Sequence, residues 1–132
     1  MNKVLLAGLI LAFGMVPAYA GDPPSFYKKT YPEHALKSAL GAKGVLEGKG
    51  AQLDGKTREL IALGVAAQIP CVYCVYAHTK NARAKGATEA EIREAVATAA
   101  TVRQWSTVLN GMAYDFAAFK AEVPPMATDA EP

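Results

Sequence analysis

Hydrophobic residues in the middle of the chain recur every three or four positions, which is the spacing of one face of an α-helix. One apolar face lies before Pro70 and consists of Leu60, Ile61, Leu63, Gly64 and Ala67. A second face consists of Ile92, Ala95, Val96, Ala99 and Val102. A last stripe, which we expect in the core on a final helix, consists of Trp105, Val108, Leu109, Met112, Phe116 and Phe119. No segment alternates apolar and polar residues over a useful length, so the pattern predicts an all-α protein.

Polar residues, proline and glycine indicate where these helices begin and end. Asp54 is a good N-cap, and Pro70 suits the opening of a helix expected from about Cys71 to Lys85. Gly86 stands where a residue in the left-handed conformation would follow that helix. Thr88-Glu89-Ala90-Glu91 is a capping-box pattern and predicts the start of the next helix. The whole pattern predicts a small domain of about five to six helices.

The first 20 residues have the pattern of an export signal. Lys3 supplies positive charge, Val4 to Val16 form an apolar run, and Ala18-Tyr19-Ala20 is typical of a cleavage site. The run is about 13 residues long, whereas a membrane span needs about 20. We therefore expect cleavage after Ala20, a periplasmic or secreted protein, and no stable membrane anchor after cleavage.

Composition divides the remaining chain into three parts. Residues 21–32 contain several prolines and predict an extended N-terminal arm. Residues 33–122 are rich in Ala, Leu and Val and predict one helical domain, whose first helix begins at about Glu33. Residues 123–132 hold three prolines and predict a flexible tail. A helical unit of this size buries a limited share of its surface, so we expect it to self-associate.

Composition and charge exclude two classes of protein. Hydrophobic residues make up 52% of the chain and charged residues 20%, which excludes a disordered protein. The 14 Lys and Arg nearly balance the 12 Asp and Glu, giving a formal net charge of +2. No stretch combines clustered basic residues with aromatic ones, so we expect no nucleic-acid partner.

The candidate chemistry lies in the segment that holds the two cysteines. In a helix, Cys71, Cys74 and His78 stand at i, i+3 and i+7 and share one face. A thiol reacts as its thiolate, which a helix N-terminus and a neighbouring imidazole both stabilise. His78 lies one turn beyond Cys74, while Cys71 lies at the helix start, where backbone N–H groups lack partners.

Other interpretations of the cysteines are open at this point. A structural disulfide suits an exported protein, although a bridge over two residues closes a short loop and gains little entropy. A zinc site would use Cys71, Cys74, His78 and a carboxylate, but an oxidising compartment disfavours it. Covalent haem attachment is excluded, because it needs His directly after the second cysteine and Val75 stands there.

Glu59 completes a five-element pattern with the cysteines and His78. Alone, a Glu next to Arg58 is expected to be solvated. The whole pattern, however, consists of Glu59, eleven residues, Cys71-x-x-Cys74, three residues and His78. It resembles the motif of the alkylhydroperoxidase D-like branch of the carboxymuconolactone decarboxylase family. The flanks at 53–63 and 82–94 are also similar, and the resemblance covers roughly residues 40–120.

The resemblance implies an all-helical homotrimer or hexamer whose Cys71–Cys74 pair cycles between dithiol and disulfide, with no other cofactor. Cys74 would be the more readily activated thiol and Cys71 its resolving partner. Glu59 would hydrogen-bond to His78 or relay protons to it. One departure from the peroxidase members is that Val72 and Tyr73 stand between the cysteines, where those members carry a second His.

Together these observations predict an exported thiol–disulfide oxidoreductase with alkyl hydroperoxide reductase activity. Its partners would be a small-molecule hydroperoxide or a protein disulfide, and an external dithiol that restores the reduced cysteines. Two alternatives stay open. One is a non-enzymatic helical oligomer with a structural disulfide, and the other is a protein that binds a metal through Cys and His.

Overall fold

The computed structural model describes residues 22–123, and every regular element in that range is an α-helix. The six helices are α1 Ser25–Thr30, α2 Glu33–Glu47, α3 Gly55–Gln68, α4 Val72–Ala84, α5 Glu89–Gly111 and α6 Phe116–Glu122. The predicted all-α class is confirmed. The predicted export signal at 1–20 lies outside the described residues, as does the predicted tail beyond Val123.

The described residues divide into two compact units, the first ending at Gln52 and the second beginning at Leu53. In the first unit α1 contacts α2, and in the second α3 contacts both α4 and α5. The arm predicted at residues 21–32 is not extended throughout, because residues Ser25–Thr30 within it form α1. The helix follows Pro24, whose carbonyl accepts a hydrogen bond from the Tyr27 N–H at 3.0 Å. Pro lacks an N–H group and is well tolerated where a helix begins.

The predicted caps at Asp54, Gly86 and Thr88 are confirmed, whereas Pro70, predicted to open the next helix, lies in the turn before α4 and Cys71 is the N-cap. Asp54 caps α3 by accepting hydrogen bonds from the Thr57 N–H at 2.9 Å and the Thr57 hydroxyl at 2.6 Å. These bonds hold the pKa of the Asp54 carboxyl below its ordinary value. Thr88 and Glu91 form the complete capping box at the start of α5. Gly86, with φ of 88°, follows α4 in the left-handed region that glycine adopts without strain.

The core of the second unit is small and lies where α3, α4 and α5 meet. It consists of Leu63, Ala82, Ala87 and Ile92, with Leu60 and Val75 packed against it. The predicted apolar face of α3 is therefore only partly buried. Ile61 is 53% exposed and Ala67 is also exposed, so those two positions do not belong to the core.

Polar contacts fasten α3 to α5 at both ends of α3. Near its start, Lys56 Nζ lies 2.5 Å from Glu91 Oε1. This hydrogen bond and those from Thr88 lower the pKa of Glu91 to about 2. Near its end, Arg103 donates to the side-chain oxygen of Gln68 at 2.6 Å and to its carbonyl at 3.0 Å. The register of α3 on α5 is thereby set.

The stripe from Trp105 to Phe119 is not in the core, contrary to the prediction. Trp105 is 56% exposed, Met112 77% and Phe116 68%. The stripe is also divided between α5 and α6, because the chain leaves the helix after Gly111. Since α3 ends beside Arg103, the remaining turns of α5 extend past it, and within residues 53–123 much of their apolar side stays exposed.

Candidate functional site

The two cysteines form a disulfide at the first turn of α4. The Sγ atoms are 2.00 Å apart and the Cα atoms 5.2 Å apart. Cys71 is the N-cap of α4, and its Sγ accepts a hydrogen bond from the Cys74 N–H at 3.2 Å. A short turn after α3 fixes this position, since the Cys71 N–H donates to the Ala66 carbonyl at 3.2 Å. The pair therefore lies at the positive end of a helix, where a thiolate is stabilised.

Glu59 of α3 and His78 of α4 are directly bonded. Glu59 Oε2 lies 2.7 Å from His78 Nδ1. Glu59 is only 6% exposed, so the expectation for an isolated Glu, a solvated carboxylate, does not hold here. The packing of α3 on α4 brings these two residues together from positions 19 apart in the sequence.

This bond organises the imidazole for proton transfer. An ionised carboxylate only accepts hydrogen bonds, so the proton of the neutral ring then lies on Nδ1. Nε2 is left with a lone pair that can take a proton from a thiol. The His78 side chain is 29% exposed, which lets protons exchange with solvent. The arrangement can serve as a general base for a nearby nucleophile.

The structure thus joins the four predicted site residues in two bonded pairs, Cys71 with Cys74 and Glu59 with His78. Three of the four belong to the start and first turns of α4, with His78 one turn after Cys74. Cys74 and His78 lie within α4 as the spacing predicted, whereas Cys71 is the extended N-cap residue just before its first turn.

Asn81 belongs to the same cluster and was missed in the sequence. Its side-chain N–H donates to Glu59 Oε1 at 3.5 Å, so both carboxylate oxygens of Glu59 have partners. The signal was present, because Asn81 stands three residues after His78 and continues the spacing of Cys71, Cys74 and His78 along one helical face. A buried carboxylate needs such partners to offset its desolvation.

A groove on α4 opens beside Cys71, and we call it the α4 groove. It encloses about 690 Å³, and its lining includes Cys71, Val72, Tyr76, Lys80 and Arg83. Cys74 and His78 do not line it. The two cysteine residues therefore differ in whether they line the groove. Cys71 borders the groove, whereas Cys74 precedes His78 by one helical turn.

No cluster of three or more His, Cys, Asp or Glu side chains within residues 22–123 is arranged to hold a metal ion. Over the same residues, every helix is too short or too polar to cross a membrane.

The sequence profile of the carboxymuconolactone decarboxylase family matches residues 36–115, which include all four predicted site residues. An "uncharacterized protein 4 in cox locus" of Paracoccus denitrificans is 45% identical over 51 residues, 39% of this chain and 46% of that protein. An uncharacterized protein of Haemophilus influenzae is 44% identical over 54 residues, 41% of this chain and 46% of that protein. The alignments thus span less than half the length of these relatives. No solved structure is significantly similar to this chain.

Proposed function

The chain belongs to the carboxymuconolactone decarboxylase family, which includes alkylhydroperoxidase D-like proteins, and we propose that it is an exported thiol–disulfide oxidoreductase that also reduces hydroperoxides. One observation carries the proposal. The Cys71–Cys74 disulfide caps the same helix that holds His78, whose Nδ1 is bonded to a buried Glu59. A structural disulfide does not require an oriented imidazole on its helix. A reactive thiol does, because it needs a base that takes its proton.

In the first step, His78 takes the proton of the Cys74 thiol, and the thiolate attacks the terminal oxygen of a hydroperoxide. The O–O bond breaks, the leaving alkoxide takes a proton to become an alcohol, and Cys74 becomes a sulfenic acid. The Cys71 thiol then attacks the Cys74 sulfur. Water leaves and the Cys71–Cys74 disulfide forms.

In the second step, an external dithiol restores the cysteines. It gives up two electrons and two protons, becomes a disulfide itself, and leaves Cys71 and Cys74 as thiols. With a protein disulfide as oxidant, the Cys74 thiolate attacks one of its sulfurs instead, and Cys71 resolves the mixed disulfide. Glu59 holds the His78 ring and stabilises it while it carries the proton.

The pattern of residues 1–20 supports a site of action outside the cytoplasm, as proposed. In that compartment the supply of the external dithiol has to differ from that of a cytoplasmic enzyme.

Reaction of the reduced protein with an oxidant tests the proposal. We expect stopped-flow mixing with a panel of hydroperoxides and protein disulfides to form the Cys71–Cys74 disulfide faster than a free-thiol control for at least one class. The matched control is the double variant Cys71→Ser/Cys74→Ser, with its fold checked by circular dichroism. Normal turnover by this variant contradicts the proposal. An inert reduced protein with a reduction potential below about −300 mV supports the structural-disulfide alternative instead.

We also propose that the chain assembles into a homotrimer or hexamer that covers the exposed stripe of α5. Trp105, Val108 and Met112 are each at least 46% exposed in the single chain, and large exposed apolar patches mark interaction surfaces. Trp105→Glu is expected to reduce the mass in sedimentation velocity to that of one chain, because it would bury a charge. Val123→Glu, at another exposed apolar position, is the control. A wild-type mass of one chain contradicts this proposal.

A further inference from the structure

The exposed apolar stripe of α5 continues into a groove between α3 and α5, which we call the α3–α5 groove. The groove encloses about 580 Å³. Its lining includes Ile61 and Val65 of α3, which are 53% and 55% exposed, and Val102 of α5, which is 66% exposed. Trp105 follows Val102 by one helical turn and is also more than half exposed. The groove and the stripe therefore form one continuous apolar surface.

A heptad pattern runs along this surface of α5. Six positions are separated by three and four residues in turn, which is the spacing of the contact line in a coiled coil. They are Ala95, Thr98, Val102, Trp105, Leu109 and Met112, and we call them the α5 seam. Ala95 and Leu109 are partly buried in the single chain, and the other four residues are exposed. The α5 seam thus offers a regular contact line to a second helix.

The two halves of the α5 seam differ in the size of their side chains. The half that lines the groove carries the smaller ones, and the half beyond the groove carries the larger ones. A two-fold axis between residues 103 and 104 would set each smaller residue opposite a larger one of a second, antiparallel α5. The facing pairs are then Ala95 with Met112, Thr98 with Leu109, and Val102 with Trp105. In a parallel pair each residue would face its own copy, so the large side chains would meet at one end and the small ones at the other.

The region of the α5 seam carries almost no charge. Between Ala95 and Tyr114 the sequence contains a single charged residue, Arg103, and its guanidinium donates to Gln68 at the end of α3. An exposed helix face normally carries charged residues, whereas the centre of a protein–protein interface is depleted of them. Two copies can therefore pack their seams together without burying an unpaired charge.

We propose that two copies of this chain pair through the α5 seam around a two-fold axis. The larger half of each seam then fills the α3–α5 groove of the other copy. A two-fold contact is self-complementary, so one pairing covers both grooves and both stripes. The inference rests on the proposed assembly and specifies its contact. It requires an even number of copies, which a hexamer has and a trimer does not.

Two charged variants at facing positions test this pairing. Thr98→Lys and Leu109→Glu each bring a charge into the contact without a partner, so we expect each alone to sediment as one chain, like Trp105→Glu. In an equimolar mixture the new lysine of one chain faces the new glutamate of the other, and the second Thr98–Leu109 layer is unchanged. The mixture should regain the wild-type mass, with a dissociation constant at least about tenfold lower than that of either variant alone. Native mass spectrometry with one variant ¹⁵N-labelled should show mixed pairs.

A matched control tests the direction of the two helices. Leu109→Glu mixed with Leu109→Lys would form pairs if the helices were parallel, because position 109 would then face itself. In the antiparallel pair the two positions lie about 16 Å apart along the helix axis. We therefore expect this mixture to remain single chains. Circular dichroism of each variant checks that the helices are intact.

The outcomes separate the α5 seam from the proposals on which it rests. An oligomeric wild type whose Thr98→Lys and Leu109→Glu variants stay apart when mixed overturns the seam alone. Recovery of mass in the control mixture only, or a wild-type mass of three chains, overturns it as well. A wild-type mass of one chain contradicts both the seam and the proposed assembly. The redox proposal is judged separately, by oxidation of the reduced protein.

Discussion

Cys74→Ser is expected to lower turnover with the preferred oxidant by roughly 10³-fold or more, the scale of losing a catalytic nucleophile. Cys71→Ser is expected to stop turnover as well, but to leave one oxidation per chain. The physical reason is that the two sulfurs react in different steps. Cys74 makes the first bond to the oxidant, whereas Cys71 only completes the disulfide, so a chain without Cys71 stops at the oxidised Cys74.

The two variants are well matched, since each removes the disulfide and one sulfur. In Cys71→Ser the cap of α4 is retained, because serine is a favourable N-cap and its hydroxyl can accept the Cys74 N–H that Sγ now accepts. Differences in reactivity are therefore not caused by loss of the helix start.

The measurement is single-turnover oxidation followed by mass spectrometry. Cys71→Ser should carry a sulfenic acid on Cys74, or a mixed disulfide when a protein disulfide is the oxidant. Cys74→Ser should carry neither. The reverse pattern, with Cys71 oxidised in Cys74→Ser and Cys74 inert in Cys71→Ser, would assign the first attack to Cys71. The structure gives one reason to test Cys71 for that role, because its Sγ accepts a hydrogen bond from the Cys74 N–H at the start of α4.

The features that sequence predicted well are local ones. Asp54 and Thr88 cap their helices because each cap depends on residues within one turn, and these are visible in the sequence. The position of His78 one turn after Cys74 on α4 follows in the same way from the period of the helix. The bond of Glu59 to His78 was expected from the family resemblance alone, since it depends on how α3 packs against α4.

The features that sequence predicted poorly depend on what lies beside a helix. Trp105 and Met112 have the spacing of a buried face, but α3 ends before it reaches them, and spacing does not distinguish a core from an exposed face. The α4 groove was not expected either. It arises from the turn at Pro70 and the side of α4 that carries Tyr76 and Lys80, and no single segment contains the information.

Glu59→Gln is expected to lower the rate of oxidation about 10²-fold while the protein keeps its fold. The amide oxygen can still accept a hydrogen bond from Nδ1 of His78, so the ring keeps its place. The amide carries no charge, however, and therefore stabilises the protonated His78 ring much less than the carboxylate does when the thiol loses its proton. General acid–base assistance of this kind contributes about 10² to 10⁴ in rate.

Glu59→Ala separates the structural effect from the chemical one. It removes the hydrogen bonds that the buried Glu59 carboxylate accepts from the part-buried His78 and the exposed Asn81, and losing hydrogen bonds to a charged group costs about 1.5–3 kcal/mol. Urea unfolding should therefore show a loss of that size for Glu59→Ala and a smaller loss for Glu59→Gln. Glu94→Gln, which changes the same charge at an exposed position on α5, should alter neither quantity.

His78→Gln completes a double-mutant cycle with Glu59→Gln. If the carboxylate acts through the imidazole, the double variant should be no slower than His78→Gln alone, since Glu59 then has nothing to act on. Rate losses that multiply would mean that Glu59 contributes by a separate route, and the relay through His78 would be wrong. A Glu59→Gln variant with the wild-type rate of oxidation would leave the buried carboxylate with a structural role only, as the partner that satisfies His78 and Asn81 between α3 and α4.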